Sequence, residues 1–136
     1  MTEEHRFPVR VYYEDTDFSG FVYHAAYLKF MERGRTEMLR ALGIGHRALA
    51  GEGIAFAVRS MTLHFDKPAV IDDALEVVTA VRAATGARLL LEQVVLRGEQ
   101  VLVRAEVTVV AIRAGGGPAR LPQALRALVQ AGDRVS

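Results

Sequence analysis

The chain has 136 residues, of which 51% are hydrophobic and 24% charged, so we predict one globular domain over residues 1–136. Its formal net charge of +1 provides no field to attract nucleic acid, and the absence of cysteine excludes disulfides and thiolate metal sites. No apolar run reaches the roughly 20 residues of a membrane span, and no apolar segment follows the polar N-terminus. We therefore expect a cytoplasmic protein.

The first predicted element is an aromatic strand, over residues 7–15, that leads into a dense polar turn. Ser19 and Gly20 then reverse the chain, because glycine adopts positive φ without strain. This turn would hold the carboxylate of Asp17 beside the first turn of a helix that opens near His24. A carboxylate, an imidazole and unpaired helix amides, which suit an oxyanion, would then share one small volume.

The apolar stripe of residues 23–42 predicts a long helix with one buried face. Gly34 lies within this stripe, where glycine costs about 1 kcal/mol relative to alanine, so we expect the helix to approach a sheet closely there. Gly43 follows the helix, as a C-terminal cap does. The predicted buried face consists of Tyr27, Phe30, Met31, Gly34, Met38, Ala41 and Leu42.

Four strand-like runs follow a loop or short helical turn at residues 46–53. These runs span residues 54–65, 74–83, 88–96 and 101–112, and in the last of them Val101 is predicted on the apolar face. Their short connections predict an antiparallel sheet, because parallel strands need longer crossovers. One long helix and five strands predict an α+β fold in which the sheet wraps the helix, followed by a short helix at 121–131. The run at 88–96 is apolar on both faces, which predicts that another subunit covers one of them.

The segment from Tyr12 to Ile44 resembles the hotdog-fold acyl-CoA thioesterases, in particular the 4-hydroxybenzoyl-CoA thioesterase-like group and its members associated with the Tol-Pal system. In that family the Asp of the D-x-x-G-x-V-x-[HY] segment is the catalytic carboxylate, and it matches Asp17. The family's His or Tyr at the helix start matches His24, and the Tyr of the preceding strand matches Tyr13. The resemblance implies a five-stranded antiparallel sheet around one long helix, in dimers or tetramers with active sites at the dimer interface.

The resemblance also implies roles for individual residues in thioester hydrolysis. Asp17 would attack the carbonyl or orient water, and the backbone N–H near His24 would stabilise the oxyanion. Tyr13 would position this carboxylate or line the acyl pocket. The predicted substrate-binding residues are Gly20, Tyr27 and Arg88, the last of them matching the region that contacts the coenzyme A phosphates. No cofactor or metal is expected, because coenzyme A is part of the substrate and thiolate is a good leaving group; an acyl carrier protein is an alternative carrier.

Several alternatives stay open. An aspartate in such a loop is more often a turn former, and a histidine at a helix start is more often structural. Glu32 could replace Asp17 as the catalytic carboxylate, although a solvated ion pair with Arg35 or a nearby lysine fits it better. His64 fits a satisfied wall residue, and Arg59 and Arg82 are weaker candidates for phosphate contacts. The alternative functions are a hotdog acyl-thioester dehydratase or hydratase, and a non-catalytic partner protein of a cell-envelope complex.

Overall fold

A five-stranded antiparallel sheet curls around one long helix, as the sequence predicts. The computed structural model describes residues 4–135, with side chains through residue 129. The strands pair in the order β1-β3-β4-β5-β2, so β1 and β2 are the edges of the sheet. None of the helices described is long and apolar enough to cross a membrane. The elements are β1 (Glu4–Arg10), α1 (His24–Ala41), α2 (His46–Gly51), β2 (Ile54–Phe65), β3 (Ala74–Thr85), β4 (Arg88–Arg97), β5 (Gln100–Arg113) and α3 (Gln123–Val135).

The first strand is shorter than predicted. β1 ends at Arg10, and residues 13–15 form a 3₁₀ turn instead of continuing the strand. The carboxylate of Asp15 accepts a hydrogen bond from the backbone N–H of Tyr12 at 2.9 Å, which closes the turn locally. The sequence alternation that predicted a strand to residue 15 continues beyond the end of β1. The chain leaves the strand because a short-range hydrogen bond from the backbone to an acidic side chain replaces strand pairing here.

Helix α1 packs its apolar stripe on the concave face of the sheet, and the close approach predicted at Gly34 is confirmed. A Cβ atom added to Gly34 would lie only 2.8 Å from Cγ1 of Val77 on β3. Of the predicted stripe, Ala41, the last residue of the helix, is instead exposed. The stripe buries Tyr27, Phe30, Met31, Gly34 and Met38.

The inner faces of β4 and β5 complete the core, with one correction to the predicted register. Val101 is exposed rather than buried, because the pairing shifts between Val95 and Leu96 and turns Leu102 inward. Beyond this bulge the predicted alternation holds from Val103 onward. The outer face of β4 carries half-buried Leu90, Val94 and Leu96, so both faces of this strand are apolar, as predicted.

A buried polar cluster, which we call the Gln93 hub, lies beneath the middle of α1. Gln93 is fully buried on β4, and its amide nitrogen donates to the backbone carbonyl of Met31 at 3.0 Å and to Thr79 Oγ1 at 2.9 Å. Its amide oxygen accepts from the Arg35 guanidinium at 3.0 Å. Because each of these buried groups has a protein partner, the hub fixes α1 against the sheet.

Candidate active site

The segment between β1 and α1, residues 11–23, forms a compact loop that we call the Asp17 loop. The N–H of Asp17 donates to the carbonyl of Phe21 at 2.9 Å, and the N–H of Gly20 donates to the carbonyl of Asp17 at 3.0 Å. Gly20 has φ of +89°, which confirms the predicted reversal at this residue. A β-bridge between Thr16 and Val22 closes the loop at its base. The tight turn presents the Asp17 side chain on the surface.

The Asp17 carboxylate is exposed and ionised at neutral pH. Its Oδ1 atom accepts hydrogen bonds from the backbone N–H of Ser19 at 2.8 Å and from the Ser19 hydroxyl. The Ser19 hydroxyl, followed by the Ser19 N–H, lowers the pKa of Asp17 below its ordinary value. Both bonds reach the same oxygen, so Oδ2 is free to act on a substrate or on water.

The start of α1 has unpaired backbone donors. The N–H of Tyr23 donates to the carbonyl of Asp15 at 3.2 Å, and the N–H of Ala26 donates to the carbonyl of Tyr23 at 3.0 Å. Between them, the N–H groups of His24 and Ala25 have no acceptor among the described residues. No side chain caps the helix and its first turn holds no acid, so these two amides carry an uncompensated partial positive charge.

The imidazole of His24 stacks on Phe65 at the end of β2. The ring centroids lie 4.3 Å apart with an interplanar angle of 28°, and Tyr27 packs against the same Phe65 ring. The two aromatic rings and His24 line a pocket of about 170 Å³, together with Val22, Asp66, Lys67 and Pro68. Sequence reasoning missed Phe65, although an aromatic residue at a strand end before the Lys67-Pro68 turn was an available signal.

The structure distributes the other predicted site residues over three locations. Tyr13 is 81% exposed in the 3₁₀ turn. Tyr27 is buried, and its hydroxyl accepts a hydrogen bond from the backbone N–H of Ala69 at 2.9 Å, so it supports the pocket wall. Arg88 lies at the start of β4, where it lines a surface groove with Arg59. The Asp17 side chain is not among the residues that line the His24 pocket.

Two weaker candidates, His64 and Glu32, differ from their predicted surroundings, and a third, Arg82, lies in an ion pair. His64 is exposed on β2, opposite Arg104, and is therefore not a wall residue. Glu32 is also exposed, and within the described chain it makes no ion pair, because the Arg35 guanidinium donates to the Gln93 hub instead. Arg82 forms an ion pair with Glu92 of β4 at 2.9 Å.

A second cavity, of about 250 Å³, lies between the C-terminal half of α1 and the free edge strand β2. Glu32, Arg35, Thr36 and His46 form its polar rim. Its apolar wall consists of Met38, Leu39, Phe56, Ala57, Val58, Leu89, Leu91 and Val109. We call this space the α1–β2 cavity.

Residues 11–129 match the model of the thioesterase-like superfamily. The chain belongs to this superfamily. It is 48% identical over 108 residues to the acyl-CoA thioester hydrolase YbgC of Escherichia coli, covering 79% of this chain and 81% of that protein. It is 43% identical over 123 residues to the acyl-CoA thioesterase YbgC of Haemophilus influenzae, covering 89% and 90%.

A solved structure gives the same assignment. The probable thioesterase from Bartonella henselae superposes with a TM-score of 0.84 at 48% identity, covering 88% of this chain and all of that one. The predicted hotdog fold is therefore confirmed, and the chain is a hotdog-fold thioesterase. The superfamily match includes the whole Asp17 loop and the start of α1.

Proposed function

We propose that this thioesterase hydrolyses acyl-CoA thioesters, using Asp17 and the open start of α1. The observation that carries the proposal is an ionised carboxylate on the loop that leads directly into a helix with two unpaired amides. The named activities of the Escherichia coli and Haemophilus influenzae relatives support the choice of acyl-CoA as the substrate class.

The chemistry follows from the two halves of the site. The thioester carbonyl oxygen accepts from the N–H of His24 or Ala25, a type of donor worth about 3 kcal/mol to a developing oxyanion. Asp17 either attacks the carbonyl carbon or removes a proton from water that attacks it. In the water route the C–S bond then breaks and the acid is released. In the direct route C–S cleavage leaves an acyl-Asp17 anhydride, which water hydrolyses to the acid. In both routes the thiolate takes a proton, for which the His24 imidazole is a candidate donor in the pocket. Thiolate leaves readily, so no metal is needed.

We further propose that the active unit is a dimer formed through β2. This 12-residue strand has an unpaired edge, on which Val58 and Phe65 are 46% and 43% exposed. Long apolar edge strands are usually covered or paired with another strand. Antiparallel pairing of β2 with a second copy over its full length would place Phe65 opposite Ile54 of the partner subunit.

This pairing gives the α1–β2 cavity a role. Phe65 carries the His24 pocket at one end of β2, whereas Phe56 and Val58 border the cavity at the other. Antiparallel pairing would therefore bring the cavity of one subunit beside the pocket of its partner, across a strand spacing of about 4.8 Å. Its volume is below the roughly 300–1,000 Å³ of sites for drug-sized ligands, which suits the acyl group rather than the whole coenzyme.

The groove between Arg59 and Arg88 is our candidate for the coenzyme A phosphates. It lies at the start of β4 and is bordered by Gly117 and Pro118. Two guanidinium groups on one groove suit phosphate, because each can donate two parallel hydrogen bonds to its oxygens. A phosphopantetheine group on an acyl carrier protein offers part of the same chemistry and is the alternative carrier.

The central test is the release of free thiol from a panel of acyl-CoA substrates. We expect Asp17→Asn to lower kcat by at least about 100-fold, because the essential anion is lost while the turn is kept. Glu14→Gln removes a charge from the same loop and should retain kcat within about twofold. An Asp17→Asn enzyme within about threefold of the wild type would exclude this carboxylate and favour Glu32.

The same panel separates the rival functions. A dehydratase or hydratase would change the absorbance of crotonyl-CoA without releasing thiol, and a non-catalytic partner protein would do neither.

The dimer is tested by sedimentation of the enzyme under the conditions of the thiol-release assay. A stable, fully active monomer at micromolar concentration would contradict pairing through β2.

A further inference from the structure

The Asp17 loop depends on one neighbouring segment for its position. We call this segment, residues 66–73 between β2 and β3, the strap. Within the described chain, each backbone hydrogen bond that ties the loop to a sequence-distant residue reaches the strap. These links are Val11 N–H to the carbonyl of Asp73, Asp72 N–H to the carbonyl of Val11, Val22 N–H to the carbonyl of Ala69, and the β-bridge between Phe21 and Val70.

The strap forms no helix or strand, so isolated backbone hydrogen bonds and side chains together define its shape. Its first residues are held where the N–H groups of Asp66 and Lys67 donate to the carbonyl of Leu102. Its end turns sharply at Asp72, which has φ of +70°, an unusual value for a residue other than glycine. The Asp73 carboxylate holds this turn, since it accepts from the backbone N–H of Val70 at 2.9 Å.

Arg97, at the end of β4, fixes the Asp73 carboxylate from outside the strap. Its Nη1 atom donates to Asp73 Oδ2 at 2.8 Å and lies 3.4 Å from the carbonyl of Pro68. Its Nη2 atom donates to Gln100 at 2.8 Å, which holds the guanidinium in place. With side chains 36% and 19% exposed, Arg97 and Asp73 form the least exposed ion pair in the described chain.

The ionisation of Asp73 agrees with this geometry. Burial acts to raise the pKa of Asp73, but the Val70 N–H and the Arg97 guanidinium outweigh it and hold the pKa below its ordinary value. The carboxylate therefore stays charged at neutral pH, where it can accept from the guanidinium and the Val70 N–H together. A continuous path of contacts leads from this charge to the catalytic loop.

We propose that Arg97 and Asp73 are positioning residues for thioester hydrolysis, because their ion pair sets the strap and the strap sets the Asp17 loop. The path runs from Arg97 to Asp73, then through Val70 to Phe21, whose carbonyl accepts from the N–H of Asp17. This inference rests on the proposed role of Asp17. A displacement of about 1 Å at a reacting group can reduce a rate about 100-fold, so a distant pair can govern turnover.

The test compares two ion pairs of the same sheet. Arg97→Gln should lower kcat by about tenfold or more, because the carboxylate is misplaced. KM should stay within about twofold, because the α1–β2 cavity and the groove between Arg59 and Arg88 contain no residue of the strap. Arg97→Lys keeps a positive charge and should recover most of the loss. The control is Arg82→Gln, which breaks the Arg82–Glu92 pair of β3 and β4 without touching the strap; it should retain kcat within about twofold.

Two further measurements make the outcome decisive. If Asp73 and Arg97 act together, the double variant Asp73→Asn/Arg97→Gln should turn over no more slowly than Arg97→Gln alone. The N–H groups of Asp17 and Val22 should exchange with solvent faster in Arg97→Gln than in Arg82→Gln. Equal kcat and equal exchange in these two variants would overturn the proposal. A wild-type enzyme that releases no thiol would overturn the proposed function instead, and amide exchange would still decide the positioning role.

Discussion

Two polar regions along α1 contain similar chemical groups but have opposite roles. In the middle of the helix, the Gln93 hub joins an amide, a hydroxyl and a guanidinium to a backbone carbonyl, and its buried groups have protein partners. At the start of the helix, one oxygen of Asp17 and the N–H groups of His24 and Ala25 have none in the described chain. The buried groups of the hub are paired with one another, whereas the helix start leaves two donors and one acceptor open to a ligand.

This contrast shows why polar residues alone do not identify a site. A buried polar group without a partner is destabilising, so the hub must be complete for the fold to form. Exposed donors and acceptors are satisfied by water, so the helix start can remain incomplete until a substrate provides the missing oxygen. Substitutions at the open region should therefore change turnover, and those at the closed region should change stability.

The largest expected effect separates the backbone of His24 from its side chain. His24 is the first helical residue, a position where proline is sterically acceptable, and Tyr23 before it is already extended. His24→Ala should lose only what the imidazole contributes, about 100-fold at the lower end of such roles. His24→Pro also deletes the N–H and should lose about a further 100-fold or more in kcat.

The measurement is kcat for both variants on one acyl-CoA, with circular dichroism and sedimentation to show that each is folded and assembled. Both variants lose the stacking on Phe65, so that loss cancels in the comparison. Equal values of kcat would show that the N–H of His24 is not the oxyanion donor. The N–H of Ala25 would then be the remaining candidate at this helix start.

An intermediate effect is expected at the closed region. Gly34→Ala should destabilise the fold, because the new Cβ would lie 2.8 Å from Cγ1 of Val77, a side chain with little rotamer freedom. Overpacking costs about 1–3 kcal/mol, and the helix preference of alanine offsets up to about 1 kcal/mol of it. Urea denaturation measures the difference. Gly51→Ala in α2, where the added atom meets nothing within 4 Å, is the matched control and should not destabilise.

Much of the fold could be predicted from the sequence because its signals are local. The stripe containing Gly34 and the alternation within β5 depend on residues a few positions apart, and the turn at Gly20 needs only one glycine. The 3₁₀ turn after β1 was missed because the bond from Tyr12 to the Asp15 carboxylate competes with strand pairing. The side chain of Leu102 points inward because of the register between β4 and β5, and the sequence pattern of β5 alone cannot predict that register.

In the candidate site too, features that depend on neighbouring residues could be predicted, and features that depend on distant residues could not. Asp17, Gly20 and His24 lie on one continuous segment, so their common loop could be predicted from the motif. The stacking of His24 on Phe65 joins residues 41 positions apart in sequence and depends on how β2 ends beside α1. The contact between Arg97 and Asp73 joins residues 24 positions apart, and it forms only after β3 and β4 have paired.

The smallest expected effect concerns the pH dependence of the open region. The Ser19 hydroxyl and N–H lower the folded-state pKa of Asp17, and the reactive form is the carboxylate. Activity should therefore be full above the ordinary aspartate pKa and should fall only as the pH drops through the lowered value. Ser19→Ala removes the hydroxyl but keeps the N–H, so the acid limb of kcat/KM should move to higher pH. Thr16→Ala, which removes a hydroxyl bonded to the carbonyl of Tyr13 in the same loop, should leave the limb in place. An unmoved limb in Ser19→Ala would show that a group other than Asp17 controls activity in acid.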